Sequence, residues 1–240
     1  MRWLAVFFAL WAGAAQAVSC NDVSYEDISY SVCEVDATAE RIELFLNNDA
    51  GEVIGQFSGV RAALSPKGKQ LEFAMNAGMY HNDRAPVGLY IQNGEELHRL
   101  ITSEGPGNFG LLPNGVFCIR EGRADVIETL HYARENPACR DATQSGPMLV
   151  IDGKLHPRFL KDSDSRHIRN GVGTSADGRR VVFAISNQIV TFHEFGRFFR
   201  DYLHLPQALY LDGRVSRLYA PEIGRDDLGF ALGPIVGVVE

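Results

Sequence analysis

The sequence predicts an α+β fold, a single domain with mixed, mostly antiparallel β-sheets and a few packed helices. Many short apolar runs end in Gly, Asn or Asp, which is typical of strands closed by tight turns. These runs do not alternate with helical patterns, which disfavours a doubly wound parallel sheet. One stretch, Thr191 to Leu203, places Phe and Tyr at helical spacing, and we expect a helix there that packs its aromatic face on a sheet. A chain of 240 residues suits one domain with a sizeable core.

The first 17 residues have the pattern of a secretory signal peptide, which leaves residues 18–240 as the mature domain. Arg2 gives a positive start, residues 3–11 are apolar, and Ala15-Gln16-Ala17 is a small-x-small cleavage site. No other stretch is long and apolar enough to cross a bilayer, so we expect no transmembrane segment. The predicted localisation is periplasmic or secreted.

The charge of the mature chain bears on its partners. Arg2, one of 23 basic residues, leaves with the signal peptide, whereas all 30 acidic residues stay. An acidic chain of this kind argues against a nucleic-acid partner, which needs a basic face. It is compatible with a phosphorylated small molecule, because one Arg in a pocket outweighs a mildly acidic surface.

Four cysteines, Cys20, Cys33, Cys118 and Cys139, remain after cleavage. An even number in an exported protein favours disulfides, and without a C-x-x-C pair or clustered His a zinc site is not predicted. Three pairings are open, of which Cys20–Cys33 with Cys118–Cys139 is favoured because each bond closes a local loop. Lipoprotein processing at Cys20 is an alternative that we rank lower, because Ala17 stands where leucine is usually found.

The remaining elements follow from two patterns. Alternating polar and apolar residues predict a strand or hairpin, and an apolar run bounded by turn residues predicts a buried strand. Asn93-Gly94 is the most specific hairpin signal in the chain. In chain order, the predicted elements are strands or hairpins at 23–35, 41–46, 53–61 (or a short helix), 71–75, 86–92 with 98–102 as its return strand, 116–120, 124–131 (or a short helix), 148–151, 181–185, 208–211 and a last strand within 230–239.

The apolar run Ala208–Leu211 ends abruptly in Asp212-Gly213, which indicates a buried strand entering a tight turn. One interpretation is a plain hairpin, in which Val215, Leu218 and Tyr219 form the return strand. The other is an acid held at the rim of a rigid sheet, where chemistry can use it.

Two further polar residues stand next to glycines. Asn76 precedes Gly78, and its carboxamide suits sugar hydroxyls or a phosphate oxygen, although Asn equally often caps its own turn. In Ser145-Gly146, either the hydroxyl binds a ligand, with the glycine allowing close approach, or the segment is a loop entering a strand. Ser145 does not lie in a G-x-S-x-G elbow, so a serine hydrolase is not favoured.

The most polar tract, residues 162–170, contains His167 and Arg169. Arg169 is the stronger site candidate, because it adjoins an apolar strand and a buried guanidinium needs an anion from the protein or from a ligand. His167 and, earlier in the chain, His81 lie near the candidate motifs. For both we favour a surface position over a proton-shuttle role.

Four stretches, taken together and in this order, resemble the phosphodiester glycosidase family. They are N-A-G-M-Y at Asn76–Tyr80, S-G-P-M-L-V at Ser145–Val150, R-N-G-V-G at Arg169–Gly173 and Y-L-D-G at Tyr210–Gly213. The resemblance implies a mixed α/β domain that hydrolyses a sugar-1-phosphate diester and releases the sugar from a phosphomonoester. The pocket residues that it implies are Asn76, Gly78, Ser145, Gly146, Arg169, Asp212 and Gly213.

The sequence departs from the family pattern after Asp212. Many members read D-G-G-G-S there, whereas in this chain Gly213 is followed by Arg214, Val215 and Ser216. An N-acetylglucosamine-phosphate-mannose substrate therefore does not follow from the resemblance. Ser216 is a further candidate for substrate binding.

The resemblance and the side-chain chemistry together predict roles for the pocket residues. Asp212 would act as a nucleophile at the anomeric carbon or as a base on water. Arg169 would hold the phosphate bidentately, and Asn76 and Ser145 would orient the diester. The candidates for a second carboxylate, by polarity alone, are Asp83, Glu104 and Glu222.

This chemistry requires no cofactor, and the expected partner is a carbohydrate-phosphate small molecule or a glycan. A divalent cation is compatible because carboxylates and phosphates favour hard cations, although no ligand-spacing motif indicates a metal site. One alternative function is a non-catalytic periplasmic protein that binds glycans or sugar phosphates in envelope or exopolysaccharide processes. Another is a scaffold partner in envelope assembly.

Overall fold

The computed structural model describes residues 18–212 and 215–240, and the predicted signal peptide and Gly213 lie outside them. This part of the chain forms antiparallel sheets with short helices, which confirms the predicted α+β fold. The helices are α1 (Phe57–Leu64), α2 (Thr129–Glu135) and α3 (Phe192–Arg197). The strands are β1 (Ser19–Tyr25), β2 (Ile28–Asp36), β3 (Arg41–Phe45), β4 (Leu71–Asn76), β5 (Tyr90–Gln92), β6 (Glu95–His98), β7 (Gly115–Arg120), β8 (Arg123–Glu128), β9 (Asp141–Ser145), β10 (Met148–Ile151), β11 (Lys154–Leu155), β12 (Asn170–Thr174), β13 (Arg180–Ser186), β14 (Gln207–Asp212), β15 (Leu218–Ala220), β16 (Arg225–Asp226) and β17 (Ile235–Val239).

The described strands form three sheets whose neighbours all pair antiparallel. The largest has seven strands in the order β1-β2-β13-β12-β14-β10-β11. The other two have five strands each, in the orders β16-β15-β4-β17-β3 and β6-β5-β9-β7-β8. Most neighbours in space are distant along the chain, so the sheets are held together by long-range pairing rather than by consecutive hairpins.

The three sheets meet in a common apolar core. Phe183 of β13 packs against Phe73 of β4 and Phe117 of β7, with ring centroids 4.8 Å and 5.8 Å away. Each of the three rings belongs to a different sheet, and each is buried. Aromatic pairs bury large apolar areas and add a geometric preference of about 1 kcal/mol each. This cluster therefore fixes how the sheets sit on one another.

The predicted aromatic helix is confirmed, although it has two parts. Thr191 begins α3 with a capping box, in which its hydroxyl accepts from Glu194 N (3.1 Å) and Glu194 Oε2 accepts from Thr191 N (2.8 Å). The chain then continues as a π-helical turn over residues 198–202. Phe198 stacks on Tyr30 of β2 with centroids 3.8 Å apart, so the aromatic face packs on the seven-stranded sheet as expected.

Of the two predicted hairpins, the one at Asn93-Gly94 is present and the one at Asp212-Gly213 is not. Asn93-Gly94 does turn the chain, with φ of 52° and 81° at the two residues, as a two-residue hairpin requires. The predicted return strand 98–102 is wrong, because so tight a turn places the returning strand β6 directly after it. The plain hairpin at Asp212-Gly213 is also wrong, since β14 lies between β12 and β10 and Leu218 pairs with Met75 of β4.

The remaining open elements are also decided. Residues 53–61 contribute the start of α1, and 124–131 is divided between β8 and α2. The predicted last strand within 230–239 is confirmed as Ile235–Val239, and Phe230, which precedes it, is 80% exposed. The favoured disulfides, Cys20–Cys33 and Cys118–Cys139, are both present. No helix in residues 18–212 or 215–240 has the length and apolar content to span a membrane.

Candidate active site

The end of β14 is where the chain leaves the seven-stranded sheet and enters the sheet that contains β4. Asp212 is the last residue of β14, and its partner in the register is Asn170, the first residue of β12. Asn76, the last residue of β4, faces them from the second sheet, with its Nδ2 3.3 Å from Asn170 Oδ1. Three polar residues from distant motifs therefore meet between two sheets.

Asn170 is the centre of this network. Its Oδ1 accepts a hydrogen bond from Asp212 N (3.2 Å), and its Nδ2 donates to Asn76 O (3.0 Å). Ser216 Oγ lies 3.4 Å from the same Oδ1, and Arg217 N donates to Asn76 Oδ1 (2.9 Å). Sequence reasoning missed Asn170, and the available signal was a carboxamide opening the strand directly after Arg169.

Burial separates the groups that support the site from the group that faces solvent. Asn76 and Asn170 have no exposed surface, whereas Asp212 is 9% exposed. Buried carboxamides must satisfy both ends, and here the two side chains use each other and the backbone. The structure thus places Asn76 under the site, and its predicted direct role in catalysis stays a prediction.

Ser145, Gly78 and Gly146 pack close to the end of β14 and to the neighbouring strands. Ser145, at the end of β9, is fully buried, and its Oγ donates to Leu211 O (2.6 Å), next to Asp212. A Cβ added at Gly78 would lie 2.9 Å from Thr143 Oγ1, and one at Gly146 would lie 2.5 Å from the Asn114 side chain. These contacts explain why glycine stands at both positions. The expectation that these residues bind substrate stays a prediction.

A cleft of about 610 Å³ opens beside Asp212, within the range of small-molecule sites. Burial raises the pKa of the Tyr80 phenol, and the negative charge of Asp212 adds to this shift, so the two groups lie near each other. Among the described residues, Asp212 is the carboxylate in the lining. The lining residues are Met79, Tyr80, Asn82, Val87, Asn108, His167, Asp212 and Val215.

The three candidates for a second carboxylate do not line this cleft. Glu104 forms an ion pair with Arg158 (3.6 Å), and Glu222 accepts from Cys20 N (2.6 Å). Asp83 accepts from Ala85 N (3.1 Å) within its own turn. In the described part of the chain, no group of three or more His, Cys, Asp or Glu side chains is arranged to hold a metal ion.

Arg169 lies behind the wall of the cleft. Its guanidinium is fully buried, stacks on the Phe192 ring at 3.6 Å and donates to Val190 O and Ser165 O, both at 2.9 Å. The remaining nitrogen, Nη1, is buried without a hydrogen-bond partner in the described structure, and burial lowers the pKa of the group. The structure thus brings Arg169 close to the site but not into the cleft lining, and its predicted bidentate grip on a phosphate stays a prediction.

The fold and the site define a β-rich domain with an aspartate in a cleft where sheets meet, and solved proteins share this fold. The catalytic domain of zebrafish N-acetylglucosamine-1-phosphodiester alpha-N-acetylglucosaminidase is similar, with a TM-score of 0.59, 14% identity and coverage of 92% of this chain and 81% of that chain. A hypothetical protein from Synechocystis has a TM-score of 0.61 and 10% identity, and the match covers 92% of this chain and 61% of that one.

Sequence comparison then shows the family. The model of the phosphodiester glycosidase family matches residues 69–225, which include all four motifs. The uncharacterized protein YigE of Escherichia coli (strain K12) is 34% identical over 216 residues, 89% of this chain and 84% of that protein. The chain belongs to the phosphodiester glycosidase family.

Proposed function

We propose that this protein is an exported hydrolase of the phosphodiester glycosidase type, which cleaves the sugar–phosphate linkage of a sugar-1-phosphodiester. The observation that carries the proposal is Asp212, whose backbone is held by Asn170 at the floor of a cleft large enough for a sugar phosphate. Family membership supports it. So does the name of the zebrafish structure, which describes an enzyme of N-acetylglucosamine-1-phosphodiesters.

The proposed chemistry needs one carboxylate in the cleft. Asp212 either attacks the anomeric carbon or takes a proton from the water that does so. A phosphomonoester is a good leaving group, so the reaction depends less on a strong general acid than an ordinary glycoside does. The amides of Asn82 and Asn108 in the lining supply donors and acceptors for sugar hydroxyls.

The proposed location is the periplasm or the extracellular medium. Two disulfides, Cys20–Cys33 and Cys118–Cys139, support it, because such bonds persist in oxidising compartments. The predicted signal peptide points the same way.

The test is a panel of diesters incubated with the mature chain, residues 18–240, with release of reducing sugar as the measurement. UDP-N-acetylglucosamine, UDP-glucose and a sugar-phosphate-sugar diester cover the main classes. Because carboxylates and phosphates both bind hard cations, each assay is run with EDTA and with Mg²⁺. We expect release by the wild-type protein and at least about a 10³-fold loss in Asp212→Asn.

The matched control is Asp27→Asn, an exposed acid in the β1–β2 turn that should leave the rate unchanged. Absence of release from every diester by a folded wild-type protein would reject the hydrolase. If that protein still binds glycans or sugar phosphates, the non-catalytic binding function replaces it.

A further inference from the structure

His167 is the lining residue whose role the family resemblance leaves open. Its side chain is exposed to the cleft, and within the described structure nothing hydrogen-bonds its imidazole. Its backbone is fixed by a pair of hydrogen bonds with Val190, from His167 N to Val190 O (3.1 Å) and from Val190 N to His167 O (2.8 Å). His167 thus combines a fixed backbone with an exposed imidazole that is available to a ligand in the cleft.

The buried Arg169 braces this segment. Its Nε donates to Val190 O, the acceptor that also receives His167 N, and its Nη2 donates to Ser165 O, two residues before His167. The stack on Phe192 holds the guanidinium in place. Arg169 is therefore placed to position the His167 segment.

The charges around the cleft single out the same side chain. Among the lining residues that the structure describes, His167 is the one basic side chain. Arg84 is a nearby cation, but its guanidinium lies over the Tyr80 ring at 5.2 Å, donates to Asn82 O and is not part of the lining. A phosphate bound in the cleft is stabilised by a cationic partner, because opposite charges attract at short range.

We propose that His167 binds the phosphate of the substrate and donates a proton to its departing oxygen, an inference that rests on the proposed function. When the bond between C1 and the phosphate oxygen breaks, its electron pair stays on that oxygen and the phosphate would become a dianion. The proton from the imidazolium of His167 keeps it a monoanion. The oxygen of water bonds to C1, Asp212 takes the proton of that water, and exchange with solvent restores both side chains.

The kinetic test compares two substrates of the same sugar, the UDP-sugar and the glycosyl fluoride. The fluoride uses Asp212 but carries no phosphate. We expect His167→Gln to lower kcat/KM for the UDP-sugar about 10²-fold and for the fluoride by no more than about threefold. An equal loss of kcat/KM on both substrates would mean that His167 only maintains the structure of the site. A kcat/KM equal to that of the wild-type protein on both substrates would mean that His167 takes no part in the reaction. Either result overturns the proposal. His81→Gln and Arg84→Gln are the matched controls and should match the wild-type protein.

A binding test decides the phosphate contact independently of turnover. Phenyl phosphate is titrated into the mature chain while the imidazole ¹⁵N resonances are followed by NMR, and its affinity is measured for each variant. We expect the His167 resonances to shift, and His167→Gln to weaken binding about tenfold while methyl α-glycoside binding is unchanged. Three results would overturn the proposal: no binding to the wild-type protein, equal binding to His167→Gln, or a loss of affinity in Arg84→Gln instead. Failure of sugar release with intact phenyl phosphate binding at His167 would reject the proposed hydrolase, and the proton donation with it, but would keep the phosphate contact.

Discussion

The strongest quantitative prediction concerns Asn170, the carboxamide that joins the two sheets beneath Asp212. In Asn170→Ala, Asp212 N loses its acceptor at 3.2 Å and Asn76 O loses a donor at 3.0 Å, and both groups lie in a buried region. A buried polar group without a partner costs about 1–3 kcal/mol, so the pair costs about 4 kcal/mol. The longer contacts to Asn76 Nδ2 (3.3 Å) and Ser216 Oγ (3.4 Å) add little.

Urea unfolding of the mature chain measures this loss. Asn21→Ala, an exposed asparagine of β1, is the matched control and should change the free energy of unfolding by less than about 0.5 kcal/mol. Since domains are usually stable by about 5–15 kcal/mol, the variant should still fold. Its sugar release should fall as well, because the end of β14 is no longer held. A loss below about 1.5 kcal/mol would show that the two hydrogen bonds of the Asn170 side chain do not stabilise the contact between the sheets as argued.

Two other predictions concern acid stability and the disulfides. His156 is buried and stacks on Phe159, and burial lowers the pKa of its imidazole to about 4. Between the ordinary pKa of 6.5 and pH 4, the unfolded chain therefore binds a proton at this residue that the folded protein does not bind. The free energy of unfolding should therefore fall by about 3 kcal/mol between about pH 6.5 and pH 4. Urea unfolding at several pH values should show a smaller fall in His156→Gln. An equal fall with pH in the wild-type protein and the variant would contradict this prediction. Replacing Cys118 and Cys139 with Ala opens a loop of 21 residues and should cost about 3 kcal/mol, measured against the oxidised wild-type protein, and an unchanged midpoint would argue against the bond.

The local sequence pattern was sufficient to predict the strands that are apolar runs bounded by turn residues. Apolar runs such as Val181–Ile185 and Met148–Ile151 became strands within a residue of their predicted limits, since an apolar run between turn residues has few alternatives. The aromatic spacing after Thr191 predicted the helix for the same reason. Phe230, an apolar residue before the last strand, is exposed, because composition alone does not say which apolar side chains a sheet will cover.

The sequence predicted which residues belong to the site better than it predicted the contacts between them. The order of the motifs indicated that Asn76, Ser145 and Asp212 belong together, and hydrogen bonds join their strands. Asn170 was missed because nothing in the sequence around a carboxamide at the start of a strand indicates that it hydrogen-bonds to residues distant along the chain. Arg169 was recognised as a buried cation, but no local feature indicates that its guanidinium binds the carbonyl of Val190, 21 residues further along the chain, together with that of Ser165 in its own tract.

The sequence by itself determined that the chain is a β-rich domain and that an aspartate ends one of its buried strands, and it favoured the two local disulfides, because periodicity, turn residues and loop closure are local properties. The tertiary structure alone decided that the strand after Asp212 joins a different sheet, that Asn170 links the two sheets, and that His167 rather than Arg169 faces the cleft. These three facts depend on pairing between segments far apart along the chain, and the physical reason is that such pairing is chosen by the packing of the whole core rather than by any segment's own preference.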